Sequence, residues 1–217
     1  MTEKGIRDYF EQTMAADATI TPKQRAILQA SLDLFAEQGF DHTSTSDIAT
    51  RAGVAEGTVY RRYKTKNAIR EAVVAPIIDN IVPSMAADFS EAELHQSFAT
   101  LEDFFQAIFS DRLAFVTDNA KELKVVFEMI FFNADSRSAL MKRVGPLVVN
   151  QIGTVFTDLK QRQLIVDWPN DLIIQTMLSM LVGYFARLVM GFPDTDITRE
   201  TDFIVMALTK TFTPSAD

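Results

Sequence analysis

The 217-residue chain has no cysteine, which excludes a disulfide-stapled scaffold and any thiolate metal site. Histidine is nearly as scarce: His42 and His95 are the only two. With no Gly-rich phosphate loop either, the usual catalytic constellations are missing and no enzyme is expected. Glu91, Glu93 and His95 lie close in sequence, but Glu-x-Glu-x-His lacks the i, i+4 His pair of helical zinc sites and reads as solvated surface. No metal and no cofactor are expected. The opening MTEKGIRDYFEQ is charged from the start and has no apolar stretch, so no secretory signal is expected. The longest apolar run, Leu172 to Ala186, is broken by Gln175, Thr176 and Ser179 and followed by Arg187. It reads as too short and too polar to span a membrane. A cytoplasmic protein without membrane contact is expected. Repeats, low-complexity tracts and strand-period alternation with hairpin turns are all missing, which predicts an all-α fold.

Positive charge is also in short supply, with a net charge of −8, and that alone argues against a nucleic-acid partner. Its distribution argues the other way. Between Arg51 and Arg70 stand Arg51, Arg61, Arg62, Lys64, Lys66 and Arg70 against the single acid Glu56. From Val73 onward acids outnumber bases, nineteen to eleven. A basic tip on an acidic body is drawn to phosphate at one end and repelled at the other.

That tip contains the most specific segment, TSTSDIATRAGVAEGTVYRRYKTK from Thr43 to Lys66. Ser44 is an N-cap, and Asp47 three positions on closes a capping box. Ile48 supplies the apolar contact of a short helix, and Ala49 is small enough for a second helix to cross closely. Gly53 falls where the chain must turn sharply and where a positive φ is expected. Val54 and Val59 then pack back onto Ile48 and Ala49. Glu56, Gly57, Thr58, Tyr60, Arg61 and Arg62 are left on the outer surface of the second helix. An Ala-x-x-x-Gly pair or two arginines alone would be ordinary. Caps, turn, apolar spacing and an exposed basic face in agreement describe a helix offered to the DNA major groove.

The stretch from Ile27 to Ile69 resembles the N-terminal domain of the tetracycline-repressor (TetR) family of transcriptional regulators. The likeness rests on Leu34-Phe35 with Glu37, Gly39-Phe40, Thr43-Ser44, Asp47-Ile48-Ala49, Ala52-Gly53-Val54, Gly57-Thr58-Val59-Tyr60 and Lys64-Thr65-Lys66. Asn67-Ala68 departs from the acidic residue often found after that lysine, which weakens the expected cap of the next helix. The resemblance implies that Tyr60 contacts backbone phosphate and that Lys66 binds phosphate at the start of that helix. Ala55, Glu56 and Thr58 are expected to face base edges. Ser44 is expected to donate through its hydroxyl or the helix amides, and Arg61 and Arg62 to meet phosphate or guanine.

The expected organisation is a mobile arm over 1–19, in which Ile6, Tyr9, Phe10 and Met14 fall at the spacing of a short helix, a three-helix helix-turn-helix DNA-binding domain over 20–66 and a larger helical ligand-binding and dimerisation domain over 67–217. Thr21-Pro22 caps the first helix of the DNA-binding domain, whose buried stripe reads Ile27, Ala30, Ser31, Leu34 and Phe35. A connecting helix is expected from Thr65 to Ile81, breaking before Pro83. In the body, helices are marked by Leu101, Phe104, Phe105, Ile108 and Phe109, and by Leu123, Val126, Phe127, Ile130 and Phe131. A third, Leu140 to Leu159, is expected to be interrupted at Gly145-Pro146. Asn170 or Asp171 should cap Leu172–Met190, and a last helix should span 199–212. The segment 172–190 is apolar on nearly every face. In proteins this chain resembles, the last two long helices form a four-helix dimer interface, so a homodimer through 172–190 and 199–212 is expected.

Seventeen phenylalanines make an apolar pocket with a few orienting polar groups conceivable, although any single Phe reads first as ordinary core. The expected lining is Phe105, Phe109, Phe127, Glu128, Phe131 and Tyr184, with His95, Gln106 and Asn133 as further polar candidates. The resulting expectation is a repressor of a palindromic double-stranded DNA operator, released by a small, largely apolar inducer. The alternative is a DNA-binding regulator governed by a protein partner or by no ligand.

Overall fold

Helices start where the sequence supplies caps. Thr21 accepts the Gln24 backbone N–H while the Gln24 side chain accepts the Thr21 N–H, and Pro22 stands at the first helical position; such a cap contributes about 1 kcal/mol. Helix α2 (Pro22–Gln38) follows, and Gly39 ends it at φ +86°, a left-handed conformation that favours glycine. The computed structural model of the chain describes residues 5–94, 96–192 and 196–215.

Among those residues the other helices are α1 (Ile6–Ala16), α3 (Thr45–Arg51), α4 (Glu56–Arg62), α5 (Lys66–Pro76), α6 (Val82–Phe89), α7 (Leu101–Asp118), α8 (Ala120–Phe132), α9 (Ala134–Gln161), α10 (Asn170–Val189) and α11 (Ile197–Phe212). Two π-helical stretches, Ile77–Ile81 and Ser90–Leu94, flank α6. No strand occurs among the described residues, and the fold is all-α.

The chain forms two compact units. The first comprises Met1–Ser84 with Lys121–Arg143, the second Met85–Ala120 with Val144–Asp217. In the first, α2 packs on α3 and α5, and α3 packs on α4. The expected stripe of Ile27, Ala30, Ser31, Leu34 and Phe35 is buried there. Within the expected arm, Ile6–Ala16 forms the short helix that its apolar spacing allows. Ile6, Phe10 and Met14 are buried, and α1 contacts the π-helical stretch 77–81 and α2. An i, i+4, i+8 apolar row becomes a packed helix once a neighbouring surface receives it.

The connecting helix does not break before Pro83. The chain stays helical from Lys66 through Leu94, because the turn ahead of Pro83 widens and the Val82 N–H reaches Ile77 O, five residues back. A π-turn absorbs the room a proline ring demands. Gly145-Pro146 likewise fails to interrupt α9. Pro146 and Lys142 are both exposed, so water can serve the carbonyl that loses its donor. In α8 the buried face is Glu122, Val125, Val126 and Met129, about one residue round from the expected one.

The second unit is built on α7, which packs against α11 and α10. Its centre is aromatic: Phe104 lies 6.0 Å from Phe156 and 5.2 Å from Phe98, and Phe105 6.1 Å from Phe212, centre to centre. Phe98, Phe104, Phe105 and Phe109 are therefore core. Neither Asn170 nor Asp171 is the N-cap of α10. Pro169 holds that position, and Asn170 Oδ1 accepts from Lys160 Nζ at 2.8 Å.

Candidate nucleic-acid interface and ligand cavity

The corner between α3 and α4 is held by local hydrogen bonds. The Ala52 N–H donates to Ile48 O at 2.9 Å, and the Val54 N–H to Ala49 O at 3.0 Å. Gly53 sits at φ +66°, as the turn requires. Ile48, Ala49 and Val59 are buried beneath the corner. The capping box of α3 is complete: the Asp47 N–H donates to Ser44 Oγ at 3.0 Å, and the Ser44 N–H and hydroxyl donate to the Asp47 carboxylate at 2.8 and 2.7 Å. These bonds, the hydroxyl's first, hold the Asp47 carboxyl below its ordinary pKa. Ser44's hydroxyl proton is thus already placed on Asp47, and must leave it to reach a phosphate.

On the outer face, Ala55 is the N-cap of α4 and is exposed with Glu56. Thr58 is half-buried, and Tyr60 is 49% exposed. A residue outside the expected set joins them. Thr45 Oγ1 lies 2.9 Å from the Tyr60 hydroxyl and 3.3 Å from the Glu56 carboxylate, so its single proton serves one of them at a time. Thr45 thereby orients two side chains of the reading face from the neighbouring helix. Its position just after the Ser44 cap was the only signal in sequence.

The basic residues divide. Arg61 and Arg62 are both exposed, but Arg62 borders a polar cleft with Asp17, Asp79 and Tyr63. Tyr63 is buried behind α4, and burial raises its phenol pKa. Arg51 is engaged with Glu37 through two hydrogen bonds, 2.9 and 3.3 Å, which hold the Glu37 carboxyl below its usual range. Lys66 Nζ donates to Phe40 O at 2.8 Å and Asp41 O at 3.3 Å, and lies 4.4 Å from the Phe40 ring centre. Thr65 caps α5 by accepting the Ala68 N–H at 3.1 Å, which supplies the cap that Asn67-Ala68 left in question.

The six expected pocket residues do not line one cavity. Phe127, Glu128 and Phe131 belong to the first unit, where Phe131 is 67% exposed; a stripe read one position off puts it inside. Phe105 is core between Phe104, Phe109 and Phe212. Tyr184 is buried with its hydroxyl 2.7 Å from Thr117 Oγ1. Only Phe109 of the six lines the apolar cavity of the second unit, of about 170 Å3, together with Phe89, Ile108, Ile152, Met177 and Leu181. Gln106 is exposed and bonded to Ser110, Asn133 accepts the Ser136 N–H, and His95 lies outside the described residues. No group of three or more potential metal ligands occurs among the described residues.

Helices α10 and α11 carry an apolar surface on the second unit. Leu172, Leu178, Val182 and Val189 on α10, and Phe203 and Met206 on α11, are all more than two-fifths exposed. Contrary to the sequence reading, Asn170–Val189 is long and apolar enough to cross a membrane, as is Lys66–Ala92. In α10 that composition serves two faces, because Ile173, Ile174, Met177, Tyr184 and Phe185 are buried in the unit.

Residues 27–73 match the family profile described as bacterial regulatory proteins, tetR family. The HTH-type transcriptional regulator YvdT of Bacillus subtilis is 31% identical over 106 residues, covering 48% of this chain and 50% of that protein. The chain thus spans about half the length of that relative. Among solved structures, FadR of Bacillus subtilis in complex with stearoyl-CoA superposes with a TM-score of 0.63 at 18% identity, covering 85% of this chain and 96% of that one. A transcriptional regulator of Saccharomonospora viridis in complex with choline gives a TM-score of 0.67 at 17% identity, covering 88% and 97%; at such identities the likeness is one of fold. The α3–turn–α4 corner, its caps and its exposed basic face all lie inside the stretch that matches the tetR family of bacterial regulatory proteins.

Proposed function

We propose that the chain is a cytoplasmic, ligand-responsive transcriptional repressor that binds a palindromic operator as a homodimer. The observation that carries this reading is the exposed face of α4, fixed by the Gly53 turn and by Thr45. Ala55, Glu56 and Thr58 meet base edges, Ser44, Tyr60 and Lys66 serve phosphate, and Arg61 and Arg62 serve phosphate or guanine. One α4 of seven residues reads few base pairs, so a second copy doubles the contact. The apolar faces of α10 and α11 support pairing through those helices. A largely apolar inducer enters the cavity of the second unit. The stearoyl-CoA and choline held by two fold relatives support ligand control of this kind.

Selection of duplexes from a random pool by the intact chain tests the reading. The expected product is an inverted repeat with half-site centres about 34–36 Å apart, or a multiple of that. Enrichment of a single asymmetric site counts against the homodimer, and no enrichment counts against DNA recognition.

A further inference from the structure

The cavity of the second unit is small, and its wall is mostly carbon. Side chains of α6, α7, α9 and α10, with Leu94, enclose about 170 Å3. Ten of the twelve lining residues are Ala, Phe, Leu, Ile or Met, and the other two are Arg112 and Gln151. Phe89, Leu94, Ile108, Phe109 and Met177 are buried, so packing fixes most of the wall. Arg112 lies against Phe89, its guanidinium carbon 3.9 Å from the ring centre.

Size sets the first limit on an occupant. Pockets for drug-sized molecules begin at roughly 300 Å3, whereas an apolar cavity of about 150 Å3 stays dry and takes benzene. The space here falls beside the second figure, and a long acyl chain belongs with the first. Shape sets the second limit. An empty cavity forfeits the dispersion contacts of its lining, and a molecule that fills it restores them. A rigid ring does so without freezing rotors, a cost that a flexible chain of the same carbon count incurs. The Phe89 and Phe109 rings offer edge or offset contact to an aromatic occupant, and the Met177 thioether offers a sulfur–ring contact. We infer that the cavity takes a monocyclic aromatic molecule, from benzene to an alkylbenzene with a short side chain. This rests on the ligand-responsive reading above and names the ligand class.

The test is calorimetric titration of the intact chain with toluene, 1-methylnaphthalene and dodecanoate. Toluene should bind about fivefold or more tighter than the other two, because a second ring or a longer chain overfills a packed space. Adsorption to an exposed apolar surface gives the opposite order, since affinity then rises with apolar area. Ala86→Leu, which fills part of the cavity, should weaken toluene by about fivefold or more. Leu181→Ala, which enlarges it, should reverse the order of toluene and 1-methylnaphthalene, and that reversal can be read even if Ala86→Leu misfolds. Dodecanoate or 1-methylnaphthalene binding the unaltered chain as tightly as toluene overturns the inference. So does an unchanged order in Leu181→Ala, or silence from toluene. Operator release, followed separately, distinguishes the two readings. Toluene that binds in the expected order without releasing DNA leaves the ligand class standing and removes ligand control.

Discussion

Replacing Lys66 with methionine separates two jobs that one ammonium performs. The methionine stem still covers the Phe40 ring, but the charge is gone. Of the ammonium's three donors, two point at Phe40 O and Asp41 O, 2.8 and 3.3 Å away, which leaves one for a phosphate oxygen. Hydrogen bonds from a charged donor are worth about 1.5–3 kcal/mol each when buried. Lys66 is only half-buried, so the pair should contribute about 1–2 kcal/mol together after solvent screening. In a chain of this size that lowers Tm by roughly 2–8 °C, measurable by calorimetry. On DNA, each phosphate contact contributes about 0.9 to the slope of log K against log salt. Two heads on one operator should thus lose about 2 from the slope magnitude. Fluorescence anisotropy across a salt series, on the selected operator and on a scrambled duplex, reads both quantities. Affinity should fall by a similar factor on the two duplexes. An unaltered slope with a changed preference between them would refute the phosphate assignment, whatever happens to Tm.

Phe10→Ala should destabilise the first unit by about 3–5 kcal/mol, because the ring is fully buried; urea unfolding of the intact chain within about 1 kcal/mol of the parent would mean that α1 does not hold its place in solution. Val182→Glu combined with Phe203→Glu puts charge on the exposed faces of α10 and α11 and should yield a folded monomer by sedimentation with much weakened operator binding; a persistent dimer would move the interface elsewhere. The Ser44 hydroxyl and backbone lower the Asp47 pKa relative to the unfolded chain. The stabilisation is therefore fully present above the unfolded pKa and is lost as pH falls through the lower folded value. Asp47→Asn should be less stable near neutrality and show a flatter acid limb in a Tm–pH series, and parallel limbs would contradict the capping role.

The legible parts of the chain are those whose physics is local. Ser44, Asp47, Gly53 and Val59 act within one turn of themselves, through caps, a left-handed φ and a short hydrophobic contact, so reading them needs no knowledge of distant packing. The stripe of α2 was equally plain, although Leu28 and Leu32 widen the buried face beyond it. Helix α8 is different. Leu123, Val125, Val126, Phe127, Met129, Ile130, Phe131 and Phe132 surround it with apolar side chains. Periodicity alone cannot choose between adjacent faces in such a helix, and the packed neighbours chose Val125 and Met129. The pocket was misread for the same reason: Phe105 and Phe131 look alike in sequence, and one is core while the other is exposed.

Proline was read too literally as well. Pro83 and Pro146 each remove one donor, and a sequence does not say whether a widened turn or solvent will absorb the loss; a π-turn does so ahead of Pro83 and exposure at Pro146. By itself, the sequence determined the all-helical class, the helix-turn-helix corner and the basic face of α4, since each follows from interactions within a few residues. Only the tertiary structure decided that α1 is a packed helix, that Thr45 orients Tyr60 and Glu56, that Lys66 is anchored on the Phe40 and Asp41 carbonyls, and that Arg112, in contact with Asp111, lines an apolar cavity. Apart from the Arg112–Asp111 pairing itself, these arrangements join groups far apart along the chain, and their energies come into being only when folding brings the partners together.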